Sequence, residues 1–336
     1  MDNTFEIQVV QYSPQWHTRL LAYMRKVYPY RDVEFLEWWM AHIDSGSESE
    51  WQKCFIVTEE EEIIGCTTAI PCELIREGIR GNFYLRGNTI ISPEKRGRGT
   101  SKLLYDKVNS YNDWLSIGIT DIAWKIQPKY VKNFTPIKPI NVYVAANGWI
   151  LPELVRRLLK RKPCTMEFPG EISMPHGDTF VHIKDVKELA FPENGRWTTD
   201  QVELVRDEAY IQKRYFDVYC AERYAIYKYE KQGKTSGFVV LRRMVYSGFV
   251  MVSVVDYRFA DRDDERKAFR LAQKVARRNK VGFVFAMSSR KYRFLGCPFL
   301  ITTPKKLNCA TGNKEIDFKD ILFTSGDSDL DFVYYH

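Results

Sequence analysis

No stretch of the 336 residues approaches the roughly 18 to 20 consecutive apolar residues of a membrane-spanning helix. The opening MDNTFEIQVV also lacks a basic segment followed by an apolar one, so a cytoplasmic protein without integral membrane association is expected. The seven cysteines (54, 66, 72, 164, 220, 297 and 309) form no CxxC pair, and no histidine stands at ligand spacing from them. Neither a disulfide framework nor a metal site is therefore read, and reduced thiols, several of them in strands, are expected. Histidines 17, 42, 176 and 182 show no partner spacing and read as ordinary core or surface residues. Charge of one sign is not concentrated: the net +7 is spread along the chain, with its densest run in RRLLKRK at 156–162. That falls short of a nucleic-acid footprint and reads as a solvated helix face, leaving small anionic molecules as the favoured partners.

What is present is the composition of a folded globular protein, 45% hydrophobic and 28% charged. The length exceeds the roughly 100 to 200 residues of one domain, so two cores are expected. FEIQVVQ alternates as a strand does, and WHTRLLAYMRKVY then places Leu20, Tyr23 and Met24 on one helical face. A second helix, VEFLEWWMAHI, carries Phe35, Trp38, Trp39 and Ile43. KCFIVTEE and EIIGCTTAIPCELI read as strands joined across 59–62, and GNFYLRGNTIIS as a third that stops at Ser92-Pro93, because proline cannot donate to a ladder. Thr100 or Ser101 is the expected N-cap of a helix burying Leu104, Val108 and Tyr111. WLSIGIT follows as a strand, DIAWKIQPKYVKNF as a short helix broken at Pro128, and PINVYVA as a further strand.

Residues 147–180, rich in basic residues, proline and glycine, read as a linker with one helical segment. Beyond it come a helical region TTDQVELVRDEAYIQKRYF, strands RYAIYKYE, TSGFVVLRRM and GFVMVSVVDYRF, a helix ERKAFRLAQKVARRN and a strand VGFVFAM. The order strand, loop, helix, strand occurs in both halves and implies two copies of one architecture, 1–146 and 181–336. The expected fold class is α/β (α+β), each copy a mixed, mainly antiparallel twisted sheet flanked by helices.

Residues 91–104, ISPEKRGRGTSKLL, set two glycines and a basic cluster between a strand and a helix. A Walker A loop needs GxxxxGK[ST], which is absent. A dinucleotide fingerprint needs GxGxxG after the first strand of a parallel sheet. Here Lys102 stands at the third glycine, and the strands before it read as an antiparallel meander. A third reading needs only a loop that lets phosphate oxygens approach backbone N–H groups at a helix N-terminus. Gly97, Gly99, Thr100 and Ser101 supply it, with Lys95, Arg96 and Arg98 adding charge.

The run RGRGTS resembles the pyrophosphate loop of the GCN5-related N-acetyltransferases (GNAT), [RQ]-x-x-G-x-[GA], with Arg96 and Gly99 matching and Ser101 in place of the last small residue. The whole chain is similar to tandem GNAT-type acyltransferases of bacterial surface-polysaccharide and cell-envelope loci. RDEAYIQKRYF resembles the start of their second domain at Arg206, Asp207, Tyr210, Arg214 and Tyr215, with Lys213 where a tryptophan is usual. IGITDIAWKI resembles a G-F-P-N segment with Asp121 in place of asparagine. The resemblance implies an acetyl-CoA or related acyl-CoA co-substrate, bound by Thr89, Ile90 and Ile91 on the strand, by residues 96–101 and by Asp121. It implies direct attack of a small-molecule primary amine, of the amino-sugar or envelope-precursor class, on the thioester. It further implies Tyr130 as the acid for the leaving thiolate and Glu73 as the base, with Tyr84, Arg86 and Trp38 lining the acceptor site. Adjacent positions of a helix point about 100° apart, so only one of Trp38 and Trp39 can face a cleft, and core packing suits both.

The corresponding loop of the second half reads ADRDDE, whose acids would repel a pyrophosphate and instead suit a helix N-terminus. One cofactor site is expected, in the domain 1–146, with 181–336 a degenerate copy. Two rivals stand beside this reading. A Fem-type aminoacyl or peptidyl transferase also uses two GNAT-like domains but predicts a stronger basic groove. A non-catalytic module would keep the shell without turnover.

Overall fold

The computed structural model describes residues 6–29, 31, 33–44, 54–159, 165–246, 248–292 and 299–327. The readings on Cys164, Cys297, residues 160–162 and the side chains of His42 and Ile43 lie outside the described residues. The chain groups into two units, neither of them continuous: 1–74, 81–138 and 308–318 form one, and 75–80, 139–307 and 319–336 the other. The sequence-based division at 146 and 181 followed chain order, whereas strand pairing draws on segments far apart in the chain.

The first unit begins with β1 (Ile7–Gln11) and α1 (His17–Val27), whose Leu20, Tyr23 and Met24 are buried as their i, i+3, i+4 spacing requires. In α2 (Val33–Asp44) Phe35, Leu36, Trp39 and Met40 are buried, and Trp38 is half-buried beside Phe35. Strands β2 (Phe55–Glu59), β3 (Glu62–Arg76) and β4 (Ile79–Ile91) follow, then α3 (Thr100–Val108), β5 (Trp114–Ile119) and α4 (Asp121–Tyr130). Leu104, Tyr105 and Val108 of α3 pack with Ile91, Trp114 and Ile119 in one core.

The second unit holds most of β6 (Thr135–Ala146), then α5 (Ile150–Leu158), β7 (Glu171–Ser173), β8 (Thr179–Ile183), β9 (Val202–Leu204) and α6 (Glu208–Ile211). It continues with β10 (Tyr224–Lys231), β11 (Lys234–Tyr246), β12 (Phe249–Phe259), α7 (Glu265–Arg278) and β13 (Phe283–Ser288). The last strand is β14 (Phe299–Thr311). On α7, Ala268, Phe269, Leu271, Ala272, Val275 and Ala276 are buried in a core with Val252, Val254 and Tyr257 of β12.

The two units have similar strand orders. The first unit runs β1-β2-β3-β4-β5-β14 and the second β8-β10-β11-β12-β13-β6, with β7 beyond β8. In each, two hairpins lead to a parallel pair, β4–β5 or β12–β13, bridged by a helix. The closing strand is exchanged. Asn308–Thr311 of β14 pairs with β5, while 141–146 of β6 pairs with β13.

Several local expectations are corrected. α4 runs through Pro128, because the lost N–H falls in the last turn and the Val131 N–H closes the helix on the Gln127 carbonyl at 2.8 Å. Residues 202–204, read as helix, form β9, and only 208–216 is helical. The segment read as a linker contains β7 as well as α5, and the pattern of β14 was not recognised.

Candidate functional site

β4 and β5 pair in parallel only at Tyr84↔Trp114 and Leu85↔Leu115. Beyond these the Ser116 hydroxyl donates to the Arg86 carbonyl at 3.1 Å in place of a ladder bond. Both strands then carry a left-handed residue, Asn88 (φ 50°) and Gly118 (φ 77°), a backbone that bends a strand away from its partner. On its other edge β4 stays fastened to β3, where the Thr68 hydroxyl donates to the Gly87 carbonyl at 3.1 Å and the Thr67 and Thr89 hydroxyls lie 2.7 Å apart. The strands thus split on the β5 side of Thr89, Ile90 and Ile91, while the β3 side stays fastened.

At the end of β4 a 3₁₀ turn (Pro93–Lys95) leads into the glycine loop. Gly97 (φ 83°) and Gly99 (φ 77°) are left-handed, and a Cβ at either would meet nothing within 4 Å. They are glycine for backbone conformation, and the space before them is open. Gly99, rather than Thr100 or Ser101, caps α3, and it brings no side-chain cap bond. Thr100 is 2% exposed, and its Oγ1 has no partner among the described residues. A buried hydroxyl and uncapped N–H groups at one helix start are the donors an anion needs.

Of the loop cations, Lys95 is paired with Glu59, and Arg98 Nη1 lies 3.4 Å from the same carboxylate. Glu59, at the end of β2 and 8% exposed, is a partner that sequence reading missed, being 36 residues from Lys95. Arg96 is exposed and its Nε donates to the Ile91 carbonyl at 3.1 Å, which leaves the rest of its guanidinium toward solvent.

A second group gathers where the strands part. Arg86 is 3% exposed and lies over the Trp114 ring, 4.1 Å from its centroid, with Nη2 donating to Gln127 Oε1 at 2.5 Å. Burial lowers its pKa to about 10. Tyr105 stacks on Tyr130 with ring centroids 6.3 Å apart, and Tyr84 meets Tyr111 edge-on at 5.7 Å. Burial pushes the Tyr105 phenol up, against the pull of Arg86 and of a hydrogen bond with Gln127. Tyr130, at the end of α4, is 39% exposed.

The remaining expected residues are exposed. Glu73 is an exposed residue of β3, three positions from its end. Asp121 is exposed in the first turn of α4, where its charge complements the helix dipole behind a Thr120 cap that accepts the Ala123 N–H at 3.3 Å. Among the described residues no cluster of His, Cys, Asp or Glu is arranged to hold a metal ion.

The second unit treats the same place differently. β12 and β13 pair at Met251↔Phe283 through Val254↔Ala286, and past that point the chain's own residues 323–327 occupy the region between them. The Ser325 hydroxyl donates to the Val255 carbonyl at 3.0 Å, Thr324 to Asp256 at 3.1 Å, and the Ser289 N–H to the Phe323 carbonyl at 2.9 Å. Gly326 fits because a Cβ there would collide with the Tyr215 hydroxyl. Arg206 and Arg258 hold both Asp256 and Asp327 in fully buried ion pairs. The RDEAYIQKRYF run is thus largely structural: Arg206 anchors this segment, Asp207 caps α6 through the Tyr210 N–H, and the Tyr210 hydroxyl donates to the Gly326 carbonyl. In the acidic loop Asp261 caps the 3₁₀ turn, and Asp264 pairs with Lys231 and Lys267.

No helix among the described residues is long and apolar enough to cross a membrane. No protein-family model and no curated protein matches the chain. Solved structures do match. A GCN5-related N-acetyltransferase from Anabaena variabilis is 12% identical, with 92% of this chain and 73% of that one covered at a TM-score of 0.59. One from Kribbella flavida is 12% identical, with 91% and 71% covered at 0.54. Saccharomyces cerevisiae N-myristoyltransferase with bound myristoyl-CoA is 10% identical, with 93% and 83% covered at 0.52. At such identities what is shared is the fold, and the chain has the fold of the GCN5-related N-acetyltransferases.

Proposed function

We propose that this chain is an acyl-CoA-dependent N-acyltransferase with one donor site, in the first unit, and a small-molecule primary amine as acceptor, of the amino-sugar or envelope-precursor class. The observation that carries the reading is the contrast between the two splits. One ends in a glycine loop with an open approach, uncapped N–H groups and an unpartnered buried hydroxyl; the other is filled by residues 323–327 and fronted by acids. The match to a structure holding myristoyl-CoA supports the same class of donor.

The donor supplies an acyl thioester. The backbone N–H groups of Gly97 through Thr100, the Thr100 hydroxyl and Arg96 would hold its pyrophosphate, and the strand edge at Thr89–Ile91 would take its arm. An acceptor amine would attack the carbonyl carbon, with N–C bond formation followed by C–S cleavage. The amine proton passes to water and Glu73, and the thiolate takes its proton from Tyr130. Developing negative charge on the carbonyl oxygen would be met by main-chain N–H groups where β4 bends at Asn88.

Calorimetry of the full chain with CoA and acetyl-CoA tests the donor site. One molecule per chain is expected, and Gly99→Glu should abolish binding by placing a carboxylate in the phosphate approach. Mass-resolved acyl-CoA consumption against amino sugars and amino acids then tests transfer. Two molecules per chain would overturn the single-site reading, no binding would overturn the donor class, and binding without turnover on any acceptor would favour a non-catalytic module.

A further inference from the structure

Among the described residues no carboxylate pairs with Arg86. Its side chain is 3% exposed, Gln127 is its only side-chain hydrogen-bond partner among the described residues, and Nη1 is buried with no partner at all. The ionisable groups that act on it are the phenols of Tyr111 and Tyr105, not a carboxylate. Buried Arg206, Arg258 and Arg290, by comparison, each contact a carboxylate, Asp256, Asp256 and Asp200 respectively. A guanidinium desolvated without an acid opposes folding unless something else is gained from it.

Its position says what that is. Arg86 is the first residue past the last β4–β5 backbone pair, at the root of the split. Five residues of strand, about 17 Å if fully extended, separate it from Ile91 and the glycine loop beyond. A planar fork lying on an aromatic face with one nitrogen unfilled matches a carboxylate oxygen better than any neutral group.

We infer that Arg86 receives a carboxylate carried by one of the two substrates, either the far end of the acyl group or the acceptor amine. This rests on the acyl-transfer reading of the same split. The donor and acceptor form two sources of one chemistry, and each has its own assay. Full-length protein is supplied with acetyl-CoA or succinyl-CoA against one amine, and separately with acetyl-CoA against amino acids paired with their amides. In one of the two series, kcat/KM should favour the carboxylate-bearing member by at least about tenfold, the range expected of a charged hydrogen bond.

Arg86→Met should bring that ratio close to one and raise the melting temperature, since it removes an uncompensated charge at similar volume. Gln127→Glu supplies an internal carboxylate at the same place and should likewise abolish the preference while stabilising the fold. A purely structural Arg86 would do the reverse, lowering the melting temperature of Arg86→Met without touching the ratio. Absence of discrimination in both series, or its persistence in both variants, would overturn the inference. CoA calorimetry on the same samples separates the two failures. Binding of CoA without carboxylate discrimination removes this inference alone, and absence of CoA binding removes the acyl-transfer reading and this inference with it.

Discussion

The Ser116 hydroxyl donates to the Arg86 carbonyl at 3.1 Å, one residue past the last backbone pair between β4 and β5. A side chain here does the work of a ladder bond and lets the strands part without orphaning a buried carbonyl. Ser116→Ala should destabilise the protein by about 1 kcal/mol, the penalty of an unpaired buried acceptor. Urea unfolding checks this, and an unchanged midpoint would mean that the carbonyl has another partner.

Gly99 holds φ 77° with open space around a Cβ, so alanine would be strained but not crowded. Gly99→Ala should cost about 1 kcal/mol of stability from the left-handed backbone alone. Its CoA affinity should fall only severalfold, against complete loss in Gly99→Glu, which calorimetry on the two variants will separate.

Asp256 is buried between Arg206 and Arg258. Burial alone would push its carboxyl up, but the two guanidinium groups outweigh burial and hold it below the usual carboxylate range. A depressed folded pKa means that the unfolded chain takes up the proton first. This stabilisation is therefore complete above the unfolded value of about 4 and is lost as pH falls below it toward the folded pKa. Melting temperature followed from pH 6 downward should drop across that window. Asp256→Asn should shrink the drop and lower stability at pH 7 by about 3 kcal/mol, because two buried arginines lose one of the two carboxylates they share and keep only Asp327.

Tyr130 is 39% exposed and stacked on Tyr105. Tyr130→Phe keeps the stack and removes the proton donor, so kcat should fall at least about a hundredfold with little change in CoA affinity. Unchanged turnover would take Tyr130 out of the mechanism.

Some of this was legible in the chain itself. α1, α3 and α7 are local objects: Leu20–Tyr23–Met24, Leu104–Val108 and Ala268–Leu271–Ala272–Val275 repeat at helical spacing, and burial follows. The glycine loop was legible because two glycines without Cβ and a basic cluster stand between a strand and a helix, and both glycines prove left-handed. The acids of 260–265 were read as helix-start groups, and Asp261 does cap its turn. Glu59 was not legible as the partner of Lys95 and Arg98, nor Gln127 as that of Arg86, since nothing local connects residues 36 to 41 positions apart. Pro128 misled because its effect depends on where the helix ends.

By itself, then, the sequence determined most of the helices and strands, though not β7, β9 or β14, and where a loop can bare its N–H groups, because these follow from side-chain periodicity and from the missing Cβ of glycine. Tertiary structure alone decided which strand closes each unit's run of strands, that 323–327 fills one split while the other is left to Ser116 and Arg86, and that Arg86 is buried on Trp114 and Gln127 rather than on an acid. Pairing and desolvation are properties of groups brought together from distant parts of the chain, and no local pattern encodes them.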